Sequence, residues 1–115
     1  MKFSTISKEA LKEKIDRGER LCLVDVRPYN AYWKEHIRDA ANLPFDEIAD
    51  RAGEHFGPSD FLIVYGEDER DLLVERAAEA LVARKFDPGK IHIFPEGLLG
   101  WRAAGYFTAN GDEVR

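Results

Sequence analysis

The hydrophobic pattern of this chain predicts an α/β domain built on a parallel sheet. Three observations carry that prediction. The runs Leu21–Val26, Phe61–Tyr65 and Ile91–Phe94 are nearly continuous in apolar residues, as strands buried on both faces must be. Stretches with helical spacing alternate with them, the mark of βαβ units. Turn-forming residues separate them, among them Arg27-Pro28, Gly57-Pro58-Ser59-Asp60 and Asp87-Pro88-Gly89.

In chain order, Phe3 to Ile6 is an extended opening. Ser7 stands as the N-cap of a helix over Lys8–Asp16, with apolar residues at Ala10, Leu11 and Ile15 and Gly18 just past its end. Leu21–Val26 follows as a central strand. Pro28 suits the first turn of a short helix over Tyr29–Glu35, in which Tyr32 and Trp33 are the expected packing anchors. His36 to Pro44 reads as irregular with one short strand. Phe45–Ala52 reads as a helix capped by Asp46 and stopped by Gly53. After the second strand, Leu72–Lys85 is the longest helix. Its stripe of Leu73, Ala77, Ala78, Leu81 and Val82 faces the core, while Glu75, Arg76, Glu79 and Arg84 stay wet. The third strand leads to a helix over Glu96–Gly105 carrying Leu98, Leu99 and Trp101. The core of the single domain, residues 1–115, spans roughly residues 6–107, and the polar end, residues 108–115, is expected to fray.

Composition narrows the function classes. The 115 residues, 44% hydrophobic and 34% charged, suffice for one core. A net charge of -5 and a pI near 5.2 argue against nucleic acid or an anionic membrane as partner. No run approaches the ~20 apolar residues of a membrane span, and no signal-like apolar segment follows Met1, so a cytoplasmic location is expected. Cys22 is the sole cysteine, which excludes an internal disulfide and a multi-cysteine metal site. His36, His55 and His92 have no metal-ligand spacing, and neither a metal nor a cofactor is expected.

The loop after Phe61–Tyr65 is the candidate site. The carboxyl end of a strand followed by a helix N-terminus is where open α/β sheets bind ligands, and free amides there suit an anion. Yet Glu67, Asp68, Glu69 and Asp71 set four carboxylates against Arg70. At ~5 Å and an effective dielectric of ~20, each repels a monoanion by roughly 3 kcal/mol before solvent screening. From Gly66 to Arg76 there is no hydroxyl, thiol or imidazole. Asp68 or Asp71 is expected to cap the helix and to occupy the anion position itself. A divalent cation on these carboxylates is the competing reading. Cys22, inside an apolar run, reads as a core residue with a raised pKa.

Three motifs stand out: Leu23-Val24-Asp25-Val26-Arg27 with Tyr32, His36-Ile37 and Ala40-Ala41-Asn42-Leu43-Pro44; Ile63-Val64-Tyr65 with the later Ala77-Ala78-Glu79-Ala80-Leu81; and Phe94-Pro95-Glu96-Gly97-Leu98-Leu99-Gly100-Trp101-Arg102-Ala103-Ala104-Gly105-Tyr106. Together they resemble the rhodanese-like domain. The resemblance implies a five-stranded, mostly parallel sheet with helices on both faces. It also implies sulfur transfer through a loop cysteine held as a persulfide in a cradle of backbone amides, with Asp25 and Arg27 shaping the rim. The cysteine's place, after the strand tyrosine, is taken here by Gly66, which cannot attack sulfur or phosphorus. The loop is about two residues longer than usual, and Asp39 stands where the family often has glycine. These departures predict an inactive domain serving as a binding or regulatory module. Its expected partner is a protein with a basic surface docking on Glu67–Asp71. The alternatives are a sulfurtransferase using Cys22 or a partner's thiol, and, more weakly, a metal-assisted activity at the acidic loop.

Overall fold

Parallel pairing of Cys22–Asp25 with Leu62–Tyr65 puts the two longest apolar runs at the middle of the sheet. A computed structural model describes residues 3–111. Its strands are β1 (Ser4–Thr5), β2 (Cys22–Asp25), β3 (His36–Ile37), β4 (Ala41–Asn42), β5 (Leu62–Tyr65), β6 (Ile91–Ile93) and β7 (Thr108–Ala109). The helices are α1 (Lys8–Asp16), α2 (Tyr29–Lys34), α3 (Ile48–His55), α4 (Leu73–Ala83) and α5 (Gly97–Ala103). The main sheet runs β1-β6-β5-β2-β4, parallel throughout, and β3 pairs antiparallel with β7.

The pleat of the central strands sorts the core into two layers. Val24, Leu62 and Val64 face α3 and α4, meeting Ile48, Ala52, Val74, Ala77, Ala78 and Leu81. Leu23, Ile63 and Tyr65 face the other way, meeting Leu11 of α1 and Leu98 and Trp101 of α5. Strict alternation on β5 with burial on both sides is why that segment is apolar at every position. The helices therefore cover both faces of the sheet. No helix among the described residues is long and apolar enough to cross a membrane.

Several expectations need correction. Val74 takes the core position assigned to Leu73, which is exposed, because α4 starts at Leu73 and its first turn is set by the loop before it. Trp33 is half exposed, not a packing anchor; Tyr32 supplies the burial on α2. Gly53 does not end α3, which runs on to His55, and Asp46 is no cap: a 3-10 turn over Phe45–Glu47 leads in from Pro44. The irregular segment holds two strands, β3 and β4. Thr108 and Ala109 are not frayed, since they pair with Ile37 and His36; the rest of that expectation, residues 112–115, lies outside the described residues. The turn at Asp39 is kept without glycine, at φ 72°, a region aspartate tolerates better than most residues.

Candidate functional site

Parallel β2 and β5 end in register, Asp25 beside Tyr65, so the loop after β5 and the Asp25–Arg27 segment share one edge of the sheet. A buried network joins them. Arg27 grips Asp25 in a two-pronged pair, Nε to Oδ1 at 3.0 Å and Nη2 to Oδ2 at 2.8 Å. The Tyr65 hydroxyl donates to Asp25 Oδ2 at 2.7 Å and accepts from the Ile37 amide at 3.1 Å. Asn42 Nδ2 donates to the carbonyls of Asp25 and Arg27. The remaining guanidinium donors reach Glu67 Oε1 at 2.9 Å and the Glu35 carbonyl at 2.6 Å. Burial works against the Arg27 charge, but the hydrogen bonds and charge of Asp25, with help from Glu67, hold its pKa above the ordinary value. Burial, then the Asp25 charge, pushes the Tyr65 phenol well above 10.0. Such a pair is tolerable inside a protein because every polar atom named here has a partner.

The loop is organised around Asp71. Its Oδ2 accepts from the Glu67 amide at 3.1 Å and its Oδ1 from the Leu73 amide at 3.0 Å, at the first residue of α4. Asp71 thus meets the start of α4 from one residue before the N-cap Leu72, which has no side-chain cap bond, so the capping expected of Asp68 or Asp71 is replaced by a loop contact. Asp68 serves the loop too: Oδ1 accepts from the Arg70 amide at 2.9 Å, and Oδ2 pairs with the Arg70 guanidinium at 3.2 Å. Those contacts, the Arg70 amide first, lower the Asp68 pKa. Gly66 is buried at the base of the loop. A Cβ there would fall inside contact distance of Asp71 Oδ2, 2.7 Å from Val74 Cγ2 and 2.8 Å from Asp71 Cγ. The loop thus closes on its own carboxylate.

Electrostatically the loop is less open than its composition suggests. Glu67 is spent on Arg27, Asp68 on Arg70 and Asp71 on backbone amides, which leaves Glu69 as its outward acid. Among the described residues no three His, Cys, Asp or Glu side chains are placed to hold a metal ion.

Of the residues singled out in the sequence, the structure brings together Asp25, Arg27 and the Gly66–Asp71 loop. Cys22 is not among them. It pairs with Leu62, at the other end of β5 from Gly66, and is half buried, with its pKa raised by burial and by the Asp60 charge. Four residues of separation along a strand is about 13 Å. His36 is buried and bonds locally, Nδ1 donating to the Tyr32 carbonyl at 2.8 Å while its ring stacks on Tyr32. The Tyr65 hydroxyl and Gly97 were missed as parts of this edge. Gly97 has φ 63°, and a Cβ on it would sit 2.6 Å from the Gly66 oxygen and 2.7 Å from the Glu67 oxygen. Only glycine lets the Leu98 and Leu99 amides bond those two carbonyls, both at 3.0 Å. The Pro95-Glu96-Gly97 turn was the available signal.

Comparison with known proteins gives the same picture. The chain is 35% identical over 110 residues to an HTH-type transcriptional regulator of Mycobacterium tuberculosis, covering 95% of this chain and 46% of that one. It is 30% identical over 96 residues to the candidate sulfur carrier protein YrkF of Bacillus subtilis, covering 84% and 49%. It thus spans about half the length of both relatives. The crystal structure of the Alr3790 protein of Anabaena superposes with a TM-score of 0.83 at 27% identity over 94% of each chain. A thiosulfate sulfurtransferase of Pseudomonas aeruginosa, at 19% identity and TM-score 0.80, shares the fold, over 98% of this chain and 21% of its own. The rhodanese-like domain profile matches residues 7–104, nearly the whole described chain. With the sheet order, the buried rim pair and these relatives in agreement, the chain belongs to the rhodanese-like domain family.

Proposed function

We propose that this rhodanese-like domain is a binding or regulatory module without sulfur-transfer chemistry of its own, with Gly66 in the nucleophile's place. The single observation carrying this reading is the loop's closure on Asp71. Where a nucleophile's Cβ and sulfur would need room, a carboxylate already receives the Glu67 amide. An incoming anion would have to displace it and meet the same negative charge. The fold needs no catalytic residue to persist. A regulatory role also fits the Mycobacterium relative, which by its name is a transcriptional regulator. The partner is a protein with a basic surface, and the location cytoplasmic.

Thiosulfate–cyanide turnover tests the reading. Background rates are expected for the chain and for Cys22→Ser alike. Turnover above background that survives Cys22→Ser overturns it.

The second reading, sulfur carriage on Cys22, draws support from the name of the Bacillus relative. The raised thiol pKa and the position of Cys22 away from the loop weigh against it. It requires Cys22 in the native protein to react with a thiol reagent as fast as a free cysteine does.

A further inference from the structure

The cover that α3 and α4 lay over one face of the sheet stops short of β1. Phe3 and Ile93 pack against that core layer but are only partly buried. Beside them, between the strand edge and the start of α4, lies a groove of about 670 Å³. Phe3, Val74, Ile93 and Pro95 give it an apolar floor, and Leu72, 82% exposed, stands at its mouth.

The rim decides what fits. Of the described residues lining the groove, five are carboxylates and one, Arg76, is a base. Asp68 and Asp71 are consumed by Arg70 and the loop amides, while Glu69, Glu75 and Glu79 are all exposed; Glu69 and Glu75 flank Leu72 in the chain and present the rim's charge beside it. An acidic rim around an apolar floor complements a segment with the opposite arrangement. Resting on the proposed binding role, we infer that this groove docks a basic amphipathic segment of a partner protein. One apolar side chain of that segment enters between Phe3, Leu72 and Ile93, and its Lys or Arg neighbours meet Glu69 and Glu75. This moves the docking surface from the face of the acidic loop to the groove beside it, because most of the loop's carboxylates are internally satisfied.

The test is fluorescence anisotropy with a labelled peptide of about a dozen residues, leucine at helical spacing and lysine elsewhere, alongside its counterpart with glutamate for lysine. Binding is expected for the lysine peptide only, weakening as salt rises. Affinity should drop by about tenfold or more in Leu72→Ser and in the double variant Glu69→Lys, Glu75→Lys. All three side chains are exposed, and circular dichroism confirms that the variants fold. Equal binding by the variants, equal binding of the glutamate peptide, or no binding of the lysine peptide at millimolar protein overturns the inference. So does a self-association that Leu72→Ser abolishes, which would make a second copy the occupant. Thiosulfate–cyanide turnover is read separately: it bears on the absence of chemistry, while peptide binding bears on the groove.

Discussion

Adding one carbon at Gly66 should cost stability through Asp71, and the size of that cost follows from the contacts. Gly66 is not among the glycines with positive φ, so Gly66→Ala imposes no backbone strain and gains about 0.4–1 kcal/mol from a stiffer unfolded chain. Against this, the new Cβ lies 2.7 Å from Val74 Cγ2 and closer still to Asp71 Oδ2. Asp71 can swing away only by giving up the Glu67 and Leu73 amides. Losing two such bonds in a solvent-facing loop costs about 1 kcal/mol each, and crowding Val74 adds about 1–2 kcal/mol. The net destabilisation is about 2–3.5 kcal/mol. Urea unfolding of Gly66→Ala, Asp71→Gly and the double variant closes a thermodynamic cycle. Once the carboxylate is gone, Gly66→Ala should cost about 1–2 kcal/mol less. Additivity within about 0.5 kcal/mol would refute the claim that Asp71 fills this space. The same geometry makes Gly66→Cys alone insufficient for sulfur transfer; room for the thiol requires Asp71→Gly as well.

Three other outcomes are expected. Tyr65→Phe should lose about 1–3 kcal/mol, because Asp25 and the Ile37 amide each lose a buried partner. With the folded phenol pKa raised, Tyr65 gives its full stability below pH 10.0, and stability falls as pH climbs past that value while the unfolded phenol ionises. That alkaline slope, read from melting temperatures, should shrink in Tyr65→Phe. His92, stacked on Phe61 and with its buried Nδ1 lacking a hydrogen-bond partner among the described residues, has a pKa lowered first by burial and then by the Lys14 charge. Its contribution is therefore complete above pH 6.5 and lost as pH falls below it, and His92→Phe should flatten that acid limb. Lys85 holds φ 75° just past α4, where Phe86 and Lys85 bond back to Leu81 and Val82. Lys85→Gly should raise stability by about 1 kcal/mol, measured by the same urea titration.

The layered α/β architecture is legible in the residue pattern. Strands buried on both faces have to be apolar at every position, and Leu21–Val26 and Phe61–Tyr65 show it directly. Residue type alone likewise shows that the loop after Tyr65 carries no thiol, hydroxyl or imidazole. Helix boundaries were legible only where a local cap fixed them: Ser7, whose hydroxyl takes the Ala10 amide, was readable, whereas the start of α4 was not. There Val74 replaced Leu73 because the loop's geometry sets the phase of the helix. How the acids of the loop are spent follows only from the folded arrangement. Charges close in sequence, Glu67, Asp68 and Asp71, turn to three different partners, and that of Glu67, Arg27, comes from the segment after β2, 40 residues earlier. Composition counts charges, but electrostatic energy depends on distance and desolvation, and those exist only once β2 and β5 lie side by side.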